Sequence, residues 1–291
     1  MIPSSFDYVA PRSLEEALSL LMQHGEGAKL LAGGHSLLPL MKLRLAAPSV
    51  LIDLGRIPNL AYIRAEDEQI AIGAMATHAE VESSDLLRNR APLLAETAAE
   101  IGDVQVRNRG TLGGTLAHAD PAADYPAAML ALEAELTLTS QKGRRTLAAK
   151  DFFLDMLTTA LEPGEIITEI RFPADTPRTG SAYRKLHQPA SGFAIVGVAA
   201  RVELTDEGAC GTARVGLTGV AAKAYRATAA ESDLVGQTPN KTRIAGAARK
   251  AAQGVEALSD LHASARYRAA MAEVFTRRAL TAAFQRARVR K

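Results

Sequence analysis

Two clusters of small residues carry the chemistry that this chain displays most openly. In "LLAGGHSLLPLMKLRL", residues 30–45, Gly33 and Gly34 are followed by His35 and Ser36. In "IGDVQVRNRGTLGGTLAHADPAADYPAAMLAL", residues 101–132, Gly110, Gly113 and Gly114 are interleaved with Thr111, Leu112 and Thr115. A chain that turns on residues without bulk lets successive backbone N–H groups point outward together, and an anion can approach them closely. Ala32, Gly33, Gly34, His35, Ser36 and Leu37 are suited to cradle a phosphate or pyrophosphate, with the Ser36 hydroxyl as a further donor. The same composition also makes an ordinary tight turn. Each hydrogen bond to a charged oxygen contributes roughly 1.5 to 3 kcal/mol, so four or five would hold a cofactor. A second loop of like chemistry favours a dinucleotide that spans a cleft between two lobes. Neither cluster completes G-x-G-x-x-G and no G-x-x-x-x-G-K-[ST] occurs, which speaks against a Rossmann dehydrogenase and a P-loop NTPase.

Asp124 stands just before "YPAAMLAL", where it fits a helix N-cap with Pro126 in the first turn. A carboxylate there could equally accept hydrogen bonds from cofactor hydroxyls, and the two roles are compatible. His118 and Asp120 in "AHADP" lack the further ligands a metal needs, and no H-E-x-x-H is present, so no metal site is expected. No local motif argues for a nucleophilic triad or any other catalytic side chain. The single Cys210 cannot by itself hold a cysteine-ligated zinc or an iron–sulfur cluster. Any metal redox centre must then lie on another chain.

These residues need elements to position them. Ser13, with Glu16 three residues later, opens a helix that closes at Gly25. "AKLLAGG" reads as a buried strand running into the first bend, and "SVLIDLG" as a second strand. Two strands follow around an acidic turn in "AYIRAEDEQIAIGAMAT", then one helix over "HAEVESSDLLRNRAPLLAETAAEIG". A helix at "DYPAAMLALEA" precedes strands in "ELTLTSQKGRRTLAA" and "EIITEIRFP". "PADTPRTGSAYRK" reads as a linker. Beyond it lie strands "FAIVGVAARVEL" and "GTARVGLTGV", and from Ala224 the composition turns helical. Three units result: an α/β lobe over 1–55, an α+β lobe over 56–174, and a C-terminal domain over 180–291 with a small antiparallel sheet and helices.

The whole-chain balance narrows the partners. Thirty-four basic against 32 acidic residues leave a net charge of +2, which provides no field for nucleic acid or an anionic membrane. No leader-like start and no run of ~18 apolar residues appear, so no membrane span is expected and the location is read as cytoplasmic. The basic C-terminal stretch "TRRALTAAFQRARVRK" is either a solvated face or a dock for an acidic partner.

The pair "AGGHSLLPLMKLRL" and "IGDVQVRNRGTLGGTLAHADPAADYPA" resembles the FAD-binding subunit of the molybdenum hydroxylases, of the carbon monoxide dehydrogenase medium subunit and xanthine dehydrogenase type. "PSSFDYVAPRSLEEAL", "LEPGEIITEIRFP" and "SAYRKLHQPASGFAIVGVAA" extend the likeness over nearly the whole chain. The resemblance implies an α+β fold of the vanillyl-alcohol-oxidase type, with FAD between two lobes and a C-terminal domain closing over it. It implies that Ala32 to Ser36 bind the pyrophosphate, and that Thr111, Leu112, Gly113, Gly114 and Thr115 form the second FAD loop. Ile101 would pack near the adenine, Asp124 would accept hydrogen bonds from the cofactor, and Leu161 and Lys185 would complete the flavin pocket. The partners implied are a large subunit with the molybdenum cofactor, a [2Fe-2S] small subunit and an external electron acceptor. Lys185 near the ring would stabilise its anionic reduced form; a solvated lysine is the other reading. Phe193 either covers the ring or belongs to the core face of "FAIVGVAA". An oxidase of the same fold, acting directly on a small molecule, is the alternative function.

Overall fold

The computed structural model describes residues 2–290. The chain begins with a three-stranded parallel sheet in the order Asp7–Val9, Val50–Asp53, Ala28–Leu31. Helix Leu14–His24 covers it through Ala17 and Leu18, which pack with Val50, Ile52 and Leu54. Its start is set locally, since the Ser13 hydroxyl accepts from the Glu16 N–H. Glu16 itself takes the N–H of Arg12 at 2.8 Å, one residue before the position a capping box would use.

A five-stranded antiparallel sheet follows, ordered Ile63–Glu66, Gln69–Gly73, Ile166–Pro173, Glu135–Ser140, Gly143–Ala148. The segment expected as one long helix after Thr77 is three helices: His78–Ser83, Asp85–Arg90 and Pro92–Ala99. Ser84 is extended and its hydroxyl caps the next helix at Leu87, while Pro92 excludes Ala91 from helical geometry. Helix Pro92–Ala99 and helix Tyr125–Ala131 form a layer whose buried residues pack with Ile70, Ile72, Leu136 and Ile170.

The third sheet is antiparallel, in the order Thr179–His187, Ala194–Leu204, Cys210–Thr218, Tyr225–Arg226. Its second strand is buried on both faces, which accounts for the unbroken apolar run "AIVGVAA". One face meets the helical layer of the preceding lobe and the other meets the 25-residue helix Ala265–Val289. The stretch expected as linker through Lys185 is strand from Thr179 onward. Within that strand, a Cβ on Gly180 would lie 2.9 Å from Ala287 Cα of the long helix. The glycine is required by close packing.

The basic C-terminus corrects a further expectation. Arg286 reaches Glu96 at 2.5 Å, and Arg290 reaches the buried Asp175 at 2.9 Å, where Arg201 also binds. These cations tie the last helix to the second lobe of the same chain, while Arg277 and Arg278 remain exposed. Among the described residues no helix is long and apolar enough to cross a membrane, and no group of three or more His, Cys, Asp or Glu side chains could hold a metal ion.

Candidate functional site

The first loop leaves strand Ala28–Leu31 and enters the short helix Leu37–Lys42. Gly33, Gly34, His35, Ser36 and Leu37 are consecutive, and none of their N–H groups has an acceptor among the described residues. Gly34 adopts φ +78°, a left-handed conformation that glycine takes without strain and that turns the chain here. An array of free N–H groups on a turn is an anion cradle.

The second loop is built differently. Leu112 and Gly113 donate to the carbonyls of Ala76 and Ala74 at 2.9 and 2.8 Å, and His78 donates to Gly110 at 2.9 Å. Thr77 and Thr111 pair as an isolated antiparallel bridge. Thr111 caps helix Leu112–His118, with its hydroxyl accepting from Gly114 at 3.1 Å and its carbonyl accepting from Thr115. The loop is therefore zipped onto residues 74–78.

The two loops meet. A Cβ on Gly33 would come within 2.7 Å of Gly110 Cα and would also strike the Arg109 carbonyl, so only glycine permits this approach. A Cβ on Gly114 would be 3.5 Å from that of Ala32. Beneath them His78 is buried and its imidazole is pushed down to about 4, first by burial, then by His35 and Arg107. It is a neutral ring beside the loops. Its Nδ1 has no hydrogen-bond partner among the described residues.

Asp124 stands at the start of helix Tyr125–Ala131, but its carboxylate makes no cap bond to that helix. Instead Tyr183 donates to one oxygen at 2.6 Å and Lys185 to the other at 2.8 Å. Lys185, with a fully buried side chain, also donates to the Glu100 carbonyl at 2.8 Å. Burial pushes the Asp124 carboxyl up, and Lys185 and Tyr183 oppose that push. The capping reading is thus replaced by a buried ion pair, and the solvated reading of Lys185 is replaced with it. Tyr183, two residues before Lys185 and on the same strand face, is a site residue that only the period of two along the strand could have signalled.

Ile101 and Leu161 are half-buried and pack against the edge of the central core. Ile101 directly follows Glu100, whose carbonyl Lys185 binds, so it lies close to the ion pair in the chain. Phe193 is 47% exposed in the turn before strand Ala194–Leu204, which corrects the core reading. The set of donors fits a diphosphate-bearing cofactor: free N–H groups on one loop, a second loop in contact with it, and a buried Lys–Asp pair under the third sheet.

Two lobes that bring such loops together, roofed by a third sheet, define a dinucleotide-binding protein. Residues 4–175 match the FAD binding domain in molybdopterin dehydrogenase, and residues 181–283 match the CO dehydrogenase flavoprotein C-terminal domain. The chain belongs to this family of FAD-binding flavoprotein subunits, and its cofactor is FAD. It is 46% identical over 286 residues to the carbon monoxide dehydrogenase medium chain of Hydrogenophaga pseudoflava, covering 98% of this chain and 99% of that one. It is 41% identical to the 6-hydroxypseudooxynicotine dehydrogenase complex subunit alpha of Paenarthrobacter nicotinovorans, over 100% of this chain and 98% of that one. Among solved structures, that of the Hydrogenophaga pseudoflava carbon monoxide dehydrogenase lacking the Mo-pyranopterin moiety superposes with TM-score 0.95 at 47% identity, covering 98% of this chain and 99% of that one. The α+β FAD-binding fold expected from the two motifs is the fold observed.

Proposed function

We propose that this chain is the FAD-binding electron-transfer subunit of a molybdenum hydroxylase complex. Electrons arrive from [2Fe-2S] clusters on a small subunit, cross FAD and leave to an external acceptor, while the large subunit with the molybdenum cofactor oxidises the substrate. FAD, when bound, supplies a ring that accepts and releases electrons singly or in pairs. The chain supplies position and electrostatics. The N–H groups of Gly33 to Leu37 and the Ser36 hydroxyl hold the pyrophosphate, with Ala32 at the start of the bend. Thr111 to Thr115 wall the other side. Asp124 offers its remaining acceptor capacity to cofactor hydroxyls, and Ile101 and Leu161 line the apolar parts. Lys185, fixed by Asp124 and the Glu100 carbonyl, holds a positive charge that favours an electron-rich ring. No side chain acts as acid, base or nucleophile in this reading.

The observation that carries the proposal is the row of free N–H groups on Gly33 to Leu37 set directly against the second loop. The substrate is chosen elsewhere, because relatives named for carbon monoxide and for 6-hydroxypseudooxynicotine are similar to this chain at 46% and 41% identity. We read the chain as three units, 1–55, 56–174 and 180–291, and as a cytoplasmic protein; the separate strand membership of the three larger sheets supports the first of these. The purified chain is expected to be yellow and inert alone, and to turn over substrate only with the large and small subunits. Turnover of a small molecule by the isolated chain would favour the direct oxidase.

A further inference from the structure

Arg268 is a buried cation, 4% exposed, on the long C-terminal helix. One guanidinium nitrogen donates to the carbonyls of Ile195 and Gly219 at 2.8 and 2.7 Å, and another meets Asp260 at 2.6 Å. Desolvating a guanidinium costs several kcal/mol, and an apolar residue of similar size often serves stability as well. What the guanidinium fixes in this fold is the pair of backbone segments that carry the two carbonyls.

The segments whose carbonyls Arg268 binds grip the second lobe with their other polar groups. Gly219 N–H donates to the Pro121 carbonyl at 2.7 Å, and Ala194 N–H to the Ala122 carbonyl at 3.2 Å. The Thr218 hydroxyl, wholly buried, lies 2.8 Å from the Pro121 carbonyl and 2.7 Å from that of Ala123. All three carbonyls immediately before Asp124 are thus held by one corner of the C-terminal sheet, and Arg268 locks that corner from behind. The adjacent strand of that sheet carries Tyr183 and Lys185, which hold the Asp124 carboxylate.

We propose that Thr218 and Arg268 are positioning residues for the flavin site, which set Asp124 by clamping residues 121–123 from the C-terminal domain. This rests on the reading of Asp124 as part of the FAD site. The C-terminal domain then does more than cover the cofactor, because it fixes the backbone from which a binding residue of the second lobe projects. Thr218→Val keeps the shape and removes only the hydroxyl; Thr218→Ser keeps the hydroxyl.

The test measures FAD dissociation, the flavin midpoint potential and the visible circular dichroism of bound flavin in the full-length chain. Variants are Thr218→Val, Thr218→Ser, Arg268→Met and Asp124→Asn. Thr218→Val and Arg268→Met are expected to weaken FAD about tenfold, the worth of one or two hydrogen bonds, and to displace the potential and the dichroism. Thr218→Ser should keep all three at the values of the unmutated chain. A lowered melting temperature of the flavin-free chain, with affinity, potential and dichroism unchanged in the folded fraction, would overturn the proposal. If Arg268→Met does not fold, the Thr218 pair decides. Asp124→Asn separates the two readings: no effect there removes the site assignment itself and the proposal with it. An effect of Asp124→Asn without one of Thr218→Val removes only the clamp.

Discussion

Between Gly33 and Leu37 no backbone N–H has an acceptor among the described residues, whereas from Leu112 to Thr115 every N–H finds one inside the chain. The two loops share glycines and hydroxyl residues, so composition alone does not separate them. What separates them is the neighbour each one has. The first loop follows the edge strand Ala28–Leu31 of a small parallel sheet and leads into a short helix, with no strand alongside to take its donors. The second is laid along Ala74 to His78 and capped by Thr111, so its donors are engaged before any ligand arrives. The lesson is that an anion cradle needs unsatisfied donors as well as small residues. In the proposed site the first loop supplies the free donors, and the second, with its own donors engaged, is packed against it.

Substitutions in either loop test that contrast. Gly33→Val should have the largest effect, because its side chain would enter the Arg109–Gly110 backbone and part the loops. FAD affinity is expected to fall about a hundredfold or more, read by flavin fluorescence on titration, since overpacking of this kind costs roughly 1 to 3 kcal/mol and misaligns the donors as well. Retention of FAD at the original affinity would refute the loop contact as a binding feature.

The next effect concerns the second loop. Burial, above all, pushes the His78 imidazole down from its ordinary 6.5 to about 4. A group with a depressed folded value that is neutral when deprotonated takes up a proton in the unfolded chain first. Between pH 6.5 and 4 the unfolded state binds more protons, so stability present at neutral pH is lost as the pH falls through that window. The loss should approach a few kcal/mol, on the order of 2 to 3, by pH 4. His78→Leu should flatten this part of the denaturation profile, and an unchanged profile would show that another group controls it.

Smaller effects should then divide between the loops. Thr111→Val removes the cap from helix Leu112–His118 and leaves the Gly114 N–H without its acceptor, which should lower the stability of the flavin-free chain by about 1 kcal/mol in urea melts. Ser36→Ala should leave that stability unchanged, because the Ser36 side chain makes no cap bond. It should weaken FAD about fivefold, corresponding to roughly 1 kcal/mol for one donor. Thr111→Val and Ser36→Ala with the same profile in both assays would erase the distinction drawn between the loops.

Much of this was legible without coordinates where the cause is local. Ser13 starts its helix through a hydroxyl three residues from its target, and the two strands expected around the acidic turn pair with each other directly across it. The long helix expected after Thr77 failed at Ser84 and Ala91 for reasons that were also local, a new cap and a following proline. The segment read as a linker through Lys185 is strand from Thr179, and the need for glycine at 180 is set by Ala283 and Ala287, far along the chain.

The sequence by itself determined which residues could turn tightly, where helices could be capped, and that the chain carries no cluster of thiolates for a metal centre. It also placed a carboxylate at Asp124 and a cation at Lys185. Tertiary structure alone decided that these two pair, that Asp124 leaves its helix uncapped, and that Arg286 and Arg290 bind the chain's own acidic residues. It alone decided which glycine loop keeps its N–H groups free. The physical reason is that a donor or a charge is defined by its partner as much as by its residue type, and partners brought together by folding lie beyond the reach of any local spacing rule.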